Sequence, residues 1–292
     1  MRFLRFVVIS FIACLLFTPF LAIAQETGTD PRDFAPKFMP YYRYTELENG
    51  LENSALTLFG LYAFTPKFAM TYEIPVGYKN DVIDTPLNNG DGTCGPGSFE
   101  PGPGLPPIPI PGVQGNCQET GMGDMNLRFM TSSDVGWLGG DWLFGVQVDL
   151  PTATQNFLGT EQTRLGPMFA YVRNIPQWPG PGAFFAAMNF YFFDVETLSE
   201  TDAGDTSMYV GRWFVMLPLN AKHKIYALPE FQPIYDFEES HFSFWVGPEI
   251  GKMIGNDGKN VVYMKPGFGV DPDAAFGDRE FTFEIGWRYF MN

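Results

Sequence analysis

Histidine and cysteine are nearly missing from this chain, with two His and three Cys in 292 residues. His223 and His241 stand in no metal-ligand spacing with each other or with a cysteine, so no zinc site is expected and no cofactor is called for. Positive charge is also short. Lys and Arg number 18 against 33 Asp and Glu, for a net charge of −15, which makes the chain a poor partner for nucleic acid. Beyond residue 24 no apolar run is long enough for a membrane helix, which excludes a helical membrane protein. Gly and Pro, at 32 and 25, are too many for a helical fold.

The one long apolar run lies at the start. Arg2 and Arg5 precede an almost wholly apolar stretch from Phe6 to Ala22, and Ala22-Ile23-Ala24 then places small residues before Gln25. This is the pattern of a cleaved secretory signal over 1–24. A retained anchor fits less well, because Ser10 and Pro19 interrupt a run that barely reaches the ~20 residues a spanning helix needs. A lipidated Cys14 also fits less well, because Phe11 stands where that signal prefers Leu. Loss of the signal leaves 268 residues (292 less 24) and removes Arg2 and Arg5, taking the net charge from −15 to −17. Cys94 and Cys117 remain, and two cysteines in an exported chain are expected to form one disulfide.

Aromatic residues are in excess, with 30 Phe, 13 Tyr and 6 Trp. They recur in segments of about ten residues that alternate apolar and polar, the length a tilted strand needs to cross the hydrocarbon layer. In the last segment Phe281, Phe283, Ile285, Trp287 and Tyr289 share one face, and Thr282, Glu284, Gly286 and Arg288 the other. A sandwich core would not tolerate both Glu284 and Arg288, whereas a barrel lumen would. The same alternation runs through 67–78, 123–131, 141–151, 163–174, 206–217 and 241–251. It is weaker in 37–46, 55–64, 182–194, 222–236 and 258–268. The reading is all-β: a closed antiparallel transmembrane barrel of about 12 strands over 37–292, in the outer membrane of a Gram-negative bacterium. Both termini would be periplasmic, with 25–36 an N-terminal periplasmic segment. Insertion would require the barrel-assembly machinery.

On this register the odd-numbered connections are external. They carry most of the acid, including Asp81, Asp84, Glu196, Glu200, Glu238 and Asp271. That rim either keeps the surface solvated or bridges to lipopolysaccharide through divalent cations. Loop 79–122 holds both mature cysteines and the run from Pro101 to Gly112, whose prolines favour extended geometry. It is read as a lid over the mouth or as a stiff surface loop.

Charges on predicted lumen positions are Glu73, Asp124, Arg128, Asp149, Arg164, Arg212, Glu230, Glu249, Lys265, Glu284 and Arg288. Both signs occur, and in a narrow lumen they should pair between neighbouring strands, since unpaired buried charge is costly. A lumen filled by such pairs is a plug; a partly filled one is a selective path. A nucleophile is a weaker reading. His241 and Ser243 share a strand face and Asn256 follows, which resembles the His, Ser and Asn of outer-membrane phospholipase A. There the pair must face lipid, whereas Phe242 and Phe244 claim that face here. The chain is therefore read as a non-enzyme.

Four stretches carry a family resemblance: Gly121-Met-Gly-Asp-Met-Asn-Leu127, Gly145-Val-Gln-Val-Asp-Leu-Pro151, Leu158-Gly-Thr160 and Leu165-Gly-Pro-Met-Phe-Ala-Tyr171. Over about residues 120–290 the chain resembles the outer-membrane barrels grouped with the meta-pathway of phenol degradation, with Ala153 where that family usually has Gly. The resemblance implies a channel for small hydrophobic or aromatic solutes. The competing readings are a filled structural or adhesive barrel and a lipid hydrolase.

Overall fold

The computed structural model describes residues 29–47, 52–82, 117–133, 136–154, 158–159, 162–178, 182–197, 207–220, 224–238, 240–255, 259–270 and 279–291. The expected signal 1–24 and Cys94 lie outside them. Strands are β1 Lys37–Leu47, β2 Glu52–Thr65, β3 Phe68–Val82, β4 Cys117–Gly121, β5 Met125–Ser133, β6 Asp141–Leu150, β7 Gln162–Asn174 and β8 Phe184–Thr197. They continue with β9 Ser207–Asn220, β10 Ile225–Leu228, β11 Glu230–Asp236, β12 His241–Val246, β13 Glu249–Ile254, β14 Asn260–Gly269 and β15 Arg279–Phe290. All pair antiparallel in one sheet, and β15 pairs with both β14 and β1, so the sheet closes. Closure leaves no unpaired edge to face the bilayer.

Fifteen strands make twelve staves. β4 and β5 both pair with β3, β10 and β11 both pair with β9, and β13 and β12 both pair with β14. Pro229 interrupts one stave and Pro248 another, each removing a ladder N–H. The gap beside Pro229 is stitched by Val215 N donating to Pro229 O (3.2 Å) and Gly247 N to Glu230 O (2.9 Å). The twelve-strand barrel is the one the alternation predicts. One boundary differs: residues 79–82 and 117–121 are not loop but a ladder, from Tyr78 opposite Gly121 to Val82 opposite Cys117. The connection above this stave is therefore 83–116, shorter than the expected 79–122.

Burial follows strand parity. Leu56, Tyr62, Phe144, Phe169, Trp213, Phe242, Met264, Ile285 and Trp287 are exposed on the outer face. The residues between them are buried or half-buried. A barrel whose exposed surface is aliphatic and aromatic while its charges point inward is an outer-membrane barrel. Charge was expected on the lumen face, but much of the interior is apolar. Met130, Leu143, Met168, Ala170, Phe184, Met188, Phe190, Phe192, Phe214 and Met216, on β5 to β9, form a buried apolar cluster. The cluster continues through Leu61, Tyr226, Leu228, Ile234, Met253, Val261 and Phe290, and ionic residues are interspersed with it, from Asp149 on β6 to Glu230, Glu249, Lys265, Glu284 and Arg288 on β11 to β15.

Candidate functional site

The charged wall is built on three carboxylates. Glu230 is completely buried and receives Arg212 through Nε and Nη2 (2.8 and 3.0 Å), Lys265 Nζ (2.9 Å) and Gln232 Nε2 (2.5 Å). Glu249 receives Arg288 Nη1 and Nη2, both at 2.7 Å, and the Tyr226 hydroxyl at 2.7 Å. Arg288 also donates to the Tyr226 oxygen. Glu284 receives Arg43 Nε and Nη2 (3.0 and 2.8 Å) on one oxygen and the Tyr263 hydroxyl (2.8 Å) on the other. Each cation comes from a different strand than its carboxylate, so the pairs tie staves together. Every bond satisfies a charge that would otherwise be costly so far from bulk water.

Two glycines make this wall possible. Tyr226 stands directly across from Gly251, and Tyr263 across from Gly286. A Cβ at Gly251 would lie 2.2 Å from the Tyr226 ring, and one at Gly286 would lie 2.5 Å from that of Tyr263. With no side chain there, each ring lies flat along the wall and its hydroxyl reaches the carboxylate. The Arg288 guanidinium in turn stacks over Tyr263 at 4.1 Å.

A second network crosses β5, β6 and β7. Arg164 pairs with Asp149 at 3.3 Å, Gln147 Nε2 donates to Asp149 (2.7 Å), and Gln147 Oε1 accepts Arg128 Nε and Nη2 (3.0 and 2.6 Å). Arg128 also stacks over Phe190 at 4.8 Å. Glu73 accepts the Tyr41 hydroxyl. Ten of the expected lumen charges thus meet in inward networks.

Asp124 is the exception. It lies between β4 and β5, where its Oδ1 accepts Ala153 N (3.0 Å). Beside it Met125 N donates to Thr152 Oγ1 (2.9 Å) and Met122 N to Thr154 Oγ1 (3.0 Å). The Gly-x-Gly-Asp and Leu-Pro-Thr stretches therefore bind the β4–β5 link to the segment that follows β6, so their role is structural. Lys265 also differs in detail: it stands opposite Glu284 in register but bonds Glu230. Ser243 is buried, His241 Nε2 has no hydrogen-bond partner among the described residues, and Asn256 lies outside them. The expected Cys94–Cys117 bond also falls outside the described residues.

Several lumen residues escaped the sequence reading. Arg43 and Tyr41 did so because β1 carries Tyr41, Tyr42 and Tyr44 on both faces, which hides the alternation. The segment 29–36 escaped for lack of any periodicity. It folds across the end of the barrel where β1 begins and β15 ends. Phe34 is buried in the apolar cluster. Arg32 reaches the far staves, donating to Asp141 on β6 (2.7 Å) and Asn174 on β7 (2.7 Å) and stacking on Phe184 of β8 at 5.7 Å. Its bidentate bond with Asp30 raises the guanidinium above its ordinary range. Between this segment and the walls lies a cavity of about 230 Å³, lined by Arg43, Glu73, Arg128, Arg212, Glu249 and Glu284 and by Met39, Leu61, Met130, Met188 and Phe214.

No family model and no curated protein matches the sequence. Among solved structures, an outer membrane channel from Pseudomonas putida F1 superposes with a TM-score of 0.60 at 10% identity, covering 89% of this chain and 99% of that one. The NanC porin superposes with a TM-score of 0.52 at 9% identity, covering 88% of this chain and all of the other. These likenesses show the fold, a closed antiparallel outer-membrane barrel.

Proposed function

We propose that this chain is a narrow outer-membrane channel for passive diffusion of small solutes, hydrophobic or aromatic ones included. The observation that carries the reading is the cavity of about 230 Å³ inside the barrel. A lumen packed by its own side chains would leave no such space. The motif resemblance to the barrels grouped with phenol degradation supports the solute class, and the fold shared with a channel and a porin supports transport over catalysis. In this reading the termini are periplasmic, the acidic connections meet lipopolysaccharide through divalent cations, and 29–36 restricts the periplasmic mouth.

A filled barrel is the second reading, favoured by the chain crossing that mouth. Single-channel recording of the refolded protein in planar bilayers separates the two. Steady conductance is expected from the wild type or from Arg32→Ala, which unties the crossing segment. Silence from both would leave the filled barrel.

A further inference from the structure

We propose that the lumen selects small amphipathic carboxylates: an anionic head held by guanidinium groups and an apolar body held by methionine and phenylalanine. This rests on the channel reading and names the solute class of that channel.

The first observation is which member of two ion pairs, Arg43–Glu284 and Arg212–Glu230, is the more exposed. The Arg43 side chain is 41% exposed and its partner Glu284 11%; the Arg212 side chain is 40% exposed and its partner Glu230 0%. In both pairs the cation is the more exposed partner, and both cations line the cavity. Arg128 adds a third guanidinium to the same cavity, and its hydrogen bonds go to the neutral amide of Gln147. A guanidinium has five N–H donors, and Arg128 spends two on this one oxygen. Glu73, Glu249 and Glu284 line the cavity too, so its charge is mixed, but its most exposed ion-paired groups are the guanidiniums of Arg43 and Arg212.

The second observation is what surrounds these cations. Met188 stands directly across from Arg212 on the neighbouring strand, and Met130, Met188 and Phe214 line the cavity with Arg128 and Arg212. Methionine is flexible and polarisable, so it packs against apolar bodies of varied shape. Guanidinium matches a carboxylate with two parallel hydrogen bonds. A neutral apolar solute would use only one half of this surface, and an ammonium would meet the three guanidiniums before the carboxylates that they cover. The volume is below the ~300–1,000 Å³ usual for ligand pockets, which suits a monocarboxylate of a single ring or short chain.

The test uses the full mature chain in planar bilayers, with benzoate, benzyl alcohol and benzylamine as probes of one shape and three charges. In a KCl gradient the wild type should pass chloride in preference to potassium. Benzoate should reduce the chloride current at concentrations where benzyl alcohol and benzylamine do not. Arg128→Gln should weaken the benzoate effect by about ten-fold or more, the loss expected for a charge-assisted hydrogen bond. It orphans no carboxylate, and heat-modifiable gel migration checks that it folds. Met188→Gln should weaken benzoate but leave acetate unchanged, which tests the apolar half separately. If the wild type conducts but prefers potassium, or all three probes act alike, this proposal is overturned and the channel stands. If neither the wild type nor Arg32→Ala conducts, the channel reading fails and takes this proposal with it.

Discussion

Arg288 and Glu249 are nearly inaccessible, at 6% and 3% side-chain exposure, and bonded through both nitrogens and both oxygens. Such a pair adds little net stability against a well-packed apolar pair, yet breaking it strands a charge. Arg288→Met should therefore cost about 3–5 kcal/mol by leaving Glu249 unpaired. The double variant Arg288→Met with Glu249→Leu should recover much of that loss. Urea unfolding from lipid vesicles measures both; equal destabilisation in the single and double variants would show that the pairing is not what holds this wall. The Gly251 site gives a sharper steric case. Gly251→Val would drive a side chain into the Tyr226 ring at 2.2 Å and displace the hydroxyl that Glu249 accepts. An overpacking cost of about 1–3 kcal/mol is expected, whereas Tyr226→Phe, which keeps the ring and drops only the hydroxyl, should cost less in the same assay.

Among the elements, the strands were legible in the sequence wherever one face is consistently apolar. β15 alternates from Phe281 to Tyr289 and β6 from Phe144 to Leu150, because lipid demands apolar residues on one side and the lumen face here carries Glu284, Arg288, Gln147 and Asp149 on the other. The interruptions at Pro229 and Pro248 were invisible as stave breaks, since parity resumes beyond them. The methionine and phenylalanine wall was hidden for the opposite reason. In β8 both faces are apolar, with Phe184, Ala186, Met188, Phe190 and Phe192 buried inside and Tyr191 and Val195 exposed outside, so alternation of polarity vanishes. Segment 29–36 forms no strand, and only its contacts reveal its place. Arg32 ties it to Asp141 and Asn174 on the far side of the barrel. Arg32→Ala should loosen it by roughly 1.5–3 kcal/mol, the order of a hydrogen bond to a charged group. In folded protein, protease cleavage within 29–36 should speed up several-fold while the barrel stays intact on unboiled gels. Unchanged cleavage would mean that Phe34 burial alone holds the segment.

At the scale of the whole molecule, the inside and outside of one closed sheet are set against each other at adjacent residues. Ile285 points outward and is 52% exposed, while its neighbour Glu284 points inward to Arg43 and Tyr263. Across the seam Ile285 stands opposite Tyr42 of β1 and Met264 of β14, and both are also exposed. These three residues form a continuous apolar strip near the middle of their staves. If that strip meets hydrocarbon, a charge placed there must be dragged into lipid. Ile285→Arg should then lower the stability of the vesicle-folded protein by about 2–4 kcal/mol, the cost of an arginine near the bilayer midplane. In detergent micelles, whose headgroups and water can follow the charge, the same substitution should cost less. Ile285→Leu, which keeps the surface apolar, should be near neutral in both. Parallel urea titrations in vesicles and in detergent compare the three proteins. A loss for Ile285→Arg that is equal in the two media would place this face away from lipid, because a solvated or protein-covered surface has no reason to distinguish them.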